Sequence, residues 1–203
     1  LVDGAPVRTR GKKVYIALNK PVGIVCTADP REKANIVDFI GHKERIYPIG
    51  RLDKDTEGLL VITSDGQLAH RIISPRHEVG KVYYARLDGE LTDEDVAALE
   101  AGIHIRDADG EFDARPAKLR RDGGDAAYIR VTEGKYHQVK RMFAARGKHV
   151  VYLKRMAIGS LALDPELKPG EWRELTDDEV ALLETEQFDG DFGTLDGTAN
   201  ETK

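Results

Sequence analysis

Apolar residues along the chain recur at two spacings, and the change from one to the other marks out strands and helices. Residues 14–19, Val-Tyr-Ile-Ala-Leu-Asn, read as a strand. Residues 59–63, Leu-Leu-Val-Ile-Thr, form an unbroken apolar run, as expected of a strand covered on both faces, and Ser64-Asp-Gly closes it as a turn. Residues 81–87 predict a strand with Lys81, Tyr83, Ala85 and Leu87 on one side and Val82, Tyr84 and Arg86 on the other. Residues 127–131 predict another, and Asp107-Ala-Asp-Gly and Arg121-Asp-Gly-Gly are turns between shorter strands. Helical spacing appears in four places. Asn35 caps a short turn over residues 36–40, and Thr92 opens a helix that buries Val96 and Leu99 and ends at Gly102. Residues 137–146 carry Val139, Met142 and Phe143 at i, i+3 and i+4, and the capping box Thr176-Asp-Asp-Glu starts a last helix that buries Val180 and Leu183. The chain is therefore α+β, with no internal repeat.

The 203 residues, 40% hydrophobic and 33% charged, suffice for one sizeable domain or two lobes sharing a core, and exclude wholesale disorder. No apolar stretch approaches the roughly 18–20 residues of a membrane span, and no signal-like run opens the chain, so a cytoplasmic protein with no membrane partner is expected. Cys26 is the only cysteine, which excludes an internal disulfide and a structural zinc cluster. The six His lack His-Glu-x-x-His spacing, and neither Gly-x-x-x-x-Gly-Lys-Ser/Thr nor Gly-x-Gly-x-x-Gly occurs, so no metal and no nucleotide cofactor is expected.

The net charge of −5 hides where the charges lie. Residues 184–203 supply all of it, and with the apolar pattern gone, residues 185–203 are expected to be a disordered acidic tail. Residues 134–155 carry seven Lys and Arg and no Asp or Glu. Such a cluster is either a solvated face or a phosphate-binding one. On the helix within it, Lys140 falls on the flank of the Val139, Met142, Phe143 stripe, whereas Arg141 points nearly opposite, at about 100° per residue. Lys140 is thus expected to reach inward, and Gln138 and Arg141 to face outward.

The densest chemistry is Gly50-Arg-Leu-Asp-Lys-Asp-Thr-Glu-Gly-Leu-Leu, three acids and two bases in a loop that runs into a buried strand. Asp53 reads either as an ordinary turn residue or as a carboxylate kept ionised by Arg51 and Lys54, a candidate nucleophile or base. A hydrolase using Asp53 with Asp55 or Glu57 lacks a nucleophile motif.

That segment, with Leu18-Asn-Lys-Pro-Val-Gly, Ser74-Pro-Arg-His-Glu-Val-Gly-Lys-Val-Tyr, Glu133-Gly-Lys-Tyr-His-Gln-Val-Lys-Arg-Met-Phe and Pro169-Gly-Glu-Trp-Arg-Glu-Leu in order, resembles the RsuA-type branch of bacterial ribosomal RNA pseudouridine synthases. The resemblance covers about residues 13–183. It implies a mixed, mostly antiparallel sheet with flanking helices, in two lobes around an RNA-binding cleft, and isomerisation of uridine to pseudouridine without a cofactor. It implies that Asp53 is the catalytic aspartate, Tyr83 the active-site tyrosine and Lys140 the base that pairs with the aspartate. Because the target base must leave its stack, Arg51 is a candidate to fill the gap in the RNA, while Gln138, Arg141, Arg146 and Lys148 are candidate RNA contacts. The resemblance also implies that residues 1–12 are a linker remnant of an N-terminal domain resembling ribosomal protein S4, ahead of a catalytic domain over residues 13–184. The expected partner is ribosomal RNA or a subunit assembly intermediate, bound by a monomer. The segment from Glu133 favours a small-subunit (16S) target, whereas the first two motifs look equally like large-subunit (23S) relatives. A non-catalytic RNA-binding assembly factor is the remaining alternative, and it would have no need of a carboxylate facing phosphate.

Overall fold

The computed structural model describes residues 12–74, 76–185, 192 and 195. The elements in chain order are β1 (Tyr15–Lys20), α1 (Ile36–Ile40), β2 (Tyr47–Pro48), β3 (Glu57–Thr63), α2 (Gly66–Ile73), β4 (Lys81–Leu87), α3 (Asp93–Ala101), β5 (Ile103–Asp107), β6 (Gly110–Ala114), β7 (Lys118–Arg121), β8 (Ala126–Val131), α4 (Gln138–Ala144), β9 (Val150–Ile158), β10 (Leu161–Ala162), β11 (Trp172–Glu174) and α5 (Asp177–Leu182). The fold is α+β. The main sheet runs β11-β1-β3-β9-β4-β8-β7, with β2 edging β3 and β10 edging β9, while β5 and β6 form a separate hairpin. Every pairing is antiparallel except β3 with β9.

The apolar run of β3 is continuous because both faces are covered. Leu59 and Val61 pack with Leu68 and Ile72 of α2, and Leu60 and Ile62 with Ile36 and Ile40 of α1. Each such side chain contributes roughly 1.5–3 kcal/mol when fully buried. On the other half of the sheet, Ala85 and Leu87 of β4 share a core with Leu99 of α3 and with Val139, Met142 and Phe143 of α4, while Val82 and Tyr84 face the opposite cluster. The alternation expected of β4 is therefore present. Asn35 caps α1, and Thr92 and Thr176 form capping boxes with Asp95 and Glu179.

One expectation needs correction, and another lies largely outside the described residues. Ser64-Asp-Gly does not simply close β3, because Asp65 accepts from the Gln67 and Leu68 N–H groups at 3.1 and 3.3 Å and starts α2. An aspartate that turns the chain and one that caps a helix use the same side-chain bond. The acidic tail over residues 185–203 lies largely outside the described residues, as does nearly all of the linker over residues 1–12. Beyond Thr185 the tail is described only at Phe192 and Leu195, whose side chains are both buried against the cluster of Val82, Tyr84 and Tyr128. A polar sequence can still anchor at isolated apolar positions.

β3 and β9 pair only through Glu57 with Lys154 and Gly58 with Arg155. A Cβ on Gly58 would lie 2.2 Å from the Arg155 carbonyl oxygen, and its φ of +102° disfavours any L side chain. Gly58→Ala is therefore expected to destabilise the protein by roughly 2–4 kcal/mol, read as a lower urea midpoint; an unchanged midpoint would show that the strands part without cost. Asp65 yields a second prediction. Burial opposes its charge, but hydrogen bonds from Lys13, the Leu68 N–H and Tyr15 hold its pKa down at about 2. The stabilisation is complete above the ordinary value near 4 and is lost as pH falls toward 2. Asp65→Ala should cost about 1–2 kcal/mol at pH 7, with a smaller difference from the parent in urea titrations at pH 3; a pH-independent difference would contradict this.

Candidate active site

The loop over residues 51–56 delivers the chain into β3, and four contacts hold it. The Leu52 N–H donates to Cys26 Sγ at 3.3 Å, the Gly23 N–H to the Lys54 carbonyl at 2.7 Å, and the Thr56 N–H to the Asp53 carbonyl at 3.1 Å. The fourth comes from Lys20, fully buried at the end of β1, whose ammonium donates to the Thr56 and Pro21 carbonyls at 2.8 and 2.9 Å. Burial pushes the Lys20 pKa down, and the hydrogen bonds to backbone oxygens replace the water that it has lost.

Out of this loop Asp53 lines a cavity of about 580 Å³, the size of a small-ligand site. α4 brings Lys140 to it, with Nζ 3.0 Å from Asp53 Oδ2 and 2.6 Å from Asp55 Oδ1, and His137 Nε2 lies 3.4 Å from Asp53 Oδ1. Burial opposes the Lys140 charge, but its hydrogen bonds to Asp55 and Asp53 outweigh that and raise its pKa. The bond from Lys140 likewise holds Asp55 below the usual carboxylate range. His137 adopts a left-handed backbone with φ 49°, which costs a non-glycine residue about 1–3 kcal/mol, and its ring stacks on the exposed Tyr136 at 3.8 Å. Across the cavity the sheet contributes Lys81 and Tyr83 from β4 and Arg155 and Ile158 from β9. The arrangement sets a carboxylate clamped between two bases opposite an aromatic ring, in a space that admits a planar heterocycle.

Residues 14–145 match the sequence profile of the family described as RNA pseudouridylate synthase. The chain belongs to that family. The synthase is 44% identical over 193 residues to an uncharacterized RNA pseudouridine synthase, YtzG, of Bacillus subtilis (strain 168), covering 92% of this chain and 79% of that one. It is 40% identical over 184 residues to the ribosomal small subunit pseudouridine synthase A of Escherichia coli (strain K12), covering 89% of this chain and 78% of the relative. A crystal structure of a pseudouridylate synthase superposes with a TM-score of 0.79 at 39% identity, over 85% of this chain and 74% of that one. The mixed, mostly antiparallel sheet is that of a pseudouridine synthase. Among the described residues of the synthase, no helix is long and apolar enough to cross a membrane.

Of the residues singled out in the sequence, Asp53, Tyr83 and Lys140 come together around the cavity, with the exposed Arg51 beside them. Gln138 and Arg141 do not face outward. Gln138 is buried; its amide donates to Glu133 Oε1 at 2.7 Å and accepts from the Lys135 N–H at 3.0 Å, locking the turn that precedes α4. Arg141 does point away from the apolar stripe, but the β5–β6 hairpin covers that side of the helix. Its guanidinium makes a two-pronged bond to Asp107 at 2.7 and 2.8 Å, reaches the Gly110 carbonyl at 2.8 Å, and lies 4.7 Å from the centre of the Phe112 ring. Arg146 and Lys148 meet the buried Asp95 of α3, at 2.9 and 3.8 Å, so the acid missing from their own segment arrives from another. The residues that the sequence does not single out are Lys20 and His137, while Asp55 enters there only as a partner of Asp53 in the hydrolase reading. Nothing local marks Lys20 as buried, since a lysine at the end of a strand ordinarily lies in water.

Arg141→Met is accordingly expected to lower stability by roughly 1–3 kcal/mol, the range for hydrogen bonds to charged groups, without altering the salt dependence of RNA binding. Urea titrations and binding isotherms at several salt concentrations check the two halves. A shallower salt slope at unaltered stability would return Arg141 to the RNA surface.

Proposed function

We propose that the synthase isomerises a uridine of small-subunit (16S) ribosomal RNA to pseudouridine, with Asp53 as the catalytic carboxylate, Lys140 as its electrostatic partner and Tyr83 as the aromatic face for the uracil. The observation that carries the reading is the Asp53–Lys140 pair, 3.0 Å apart, on a cavity walled by Tyr83. The choice of ribosomal RNA follows the likeness to the small-subunit enzyme, supported by the stretch from Glu133 to Phe143.

The reaction breaks the bond from ribose C1′ to uracil N1, turns the uracil and rejoins it through C5. The C5 proton is lost and N1 gains one, so the product has the atoms of the substrate and no oxidant or reductant enters. Asp53 acts at the ribose, by attack on C1′ or by removing the neighbouring proton. Reaching a base inside an RNA costs a few kcal/mol of unstacking, offset by stacking on Tyr83 and by Arg51 occupying the vacated space. Phosphate contacts come from bases at the rim, Arg51, Lys54 and Lys135, which line the cavity and are exposed. Arg146 and Lys148 join them only where phosphate competes with Asp95. Because Asp53, Tyr83 and Lys140 all lie in one chain, action as a monomer suffices. The setting where ribosomal RNA is assembled, the bacterial cytoplasm, fits a chain without an apolar span.

Asp53→Asn keeps the shape of the side chain but removes its nucleophilicity and basicity. It should abolish pseudouridine formation on unmodified small-subunit RNA while leaving RNA affinity within about twofold, and Lys140→Met should slow the reaction by about 10²-fold or more. Substantial product from Asp53→Asn would remove Asp53 from the catalytic role. Pseudouridine mapping in cells with and without the gene tests the target, and a site lost from the large-subunit RNA instead would overturn the small-subunit assignment.

A further inference from the structure

The wall that the sheet contributes to the cavity is cationic without a matching acid. Lys81 opens β4 and Arg155 stands opposite Tyr83 on β9, two strands that pair side by side. Arg155 is only 2% exposed, donates through Nε to the Leu59 carbonyl at 2.7 Å, and has its guanidinium carbon 6.0 Å from the centre of the Tyr83 ring. Its buried Nη2 has no hydrogen-bond partner. Lys81 Nζ donates to the Val79 carbonyl at 2.7 Å. Among the described residues neither cation forms an ion pair, and the two carboxylates that line the cavity, Asp53 and Asp55, are both held by Lys140. Burial, with the Arg155 and Arg130 charges nearby, pushes the Lys81 pKa down to about 8. A buried cation left without a counter-charge costs several kcal/mol, and an anion entering the cavity relieves that cost.

The ligand chemistry is therefore anionic, and a flipped nucleotide offers two anions, its phosphate and its base. The phosphodiester stays in the chain that continues out of the mouth, whereas the base passes Asp53 toward Tyr83 and the sheet. Uracil is neutral on arrival. It becomes an anion when the C1′–N1 bond breaks and the electron pair stays with N1, spread to O2 and O4, and it loses that charge when the pair forms the C5–C1′ bond, after which the C5 proton departs and N1 takes one up. Resting on the reading of Asp53 given above, we infer that Lys81, backed by Arg155, is a catalytic residue that stabilises the detached uracil anion. This interaction is stronger in the transition state than with bound uridine, which is what lowers a barrier.

The test is single-turnover decay of the target nucleoside in RNA carrying either uridine or 5-fluorouridine at that position. Fluorine withdraws charge and stabilises the anion without the protein. Lys81→Met should slow loss of uridine by about 10²–10³-fold, the effect of deleting one charge-stabilising donor, and should slow loss of 5-fluorouridine at least about tenfold less. Lys81→Arg, which keeps the charge, should recover most of the rate. Equal deficits on the two substrates overturn the inference. If Lys81→Met instead weakens RNA binding and flattens its salt dependence, the cation serves phosphate and the inference also fails. A deficit that follows a lowered melting temperature and that Lys81→Arg does not repair marks a structural role. Activity in Asp53→Asn would refute the underlying reading, whereas full activity in Lys81→Met with a dead Asp53→Asn refutes this inference alone.

Discussion

The two halves of the sheet are held together where the backbone of Gly58 lies against that of Arg155. No other glycine among the described residues has so little room, since even a methyl group on Gly58 would overlap the neighbouring strand. From that seam follows the placement of the site. The loop carrying Asp53 enters the sheet at one side of it, and Tyr83 flanks Arg155 at the other. The guanidinium of Arg155 then crosses back to the Leu59 carbonyl, so the strand that brings Tyr83 into register is also tied to the strand that follows Asp53.

Around the seam, charge is disposed so that nearly every buried ion has a named partner. Lys20 uses backbone oxygens, Asp95 uses the cap of α3 together with Arg146 and Lys148, and Arg141 uses Asp107. These pairs give shape more than energy, because buried ions repay their desolvation only with good geometry. In the stretch over residues 134–155, which carries no acid of its own, Lys140, Arg141, Arg146 and Lys148 thereby meet carboxylates from elsewhere in the chain. The positive charge that the fold leaves unpaired is therefore narrower than the run of bases suggests.

Features that depend on neighbours along the chain are legible in the amino-acid sequence alone. The unbroken run from Leu59, the alternation of β4 and the capping boxes at Thr92 and Thr176 are local signals, and each element stands where its signal lies. The inward position of Lys140 is legible too, because helix geometry relates it to the stripe beside it. The surroundings of Arg141 are not. The hairpin that covers it is contributed by residues some 34 positions earlier, and the acid that meets Arg146 lies 51 positions away. A helical wheel says which way a side chain points and nothing about what has been laid over it. α2 escapes the pattern because the bond that Asp65 makes looks the same in a turn as in a cap, and Lys20 because a lysine at the end of a strand ordinarily lies in water.

β3 and β4 are not neighbours; β9 lies between them. Asp53 and Tyr83 therefore share no sheet until a strand made nearly a hundred residues after Asp53 has slotted into the middle. During synthesis both side chains leave the ribosome well before the strand that unites them, and closing so long a loop is a slow, entropy-limited step. The pocket is thus a late product of folding, and a chain halted before β9 would carry Asp53 and Tyr83 on separate pieces of sheet.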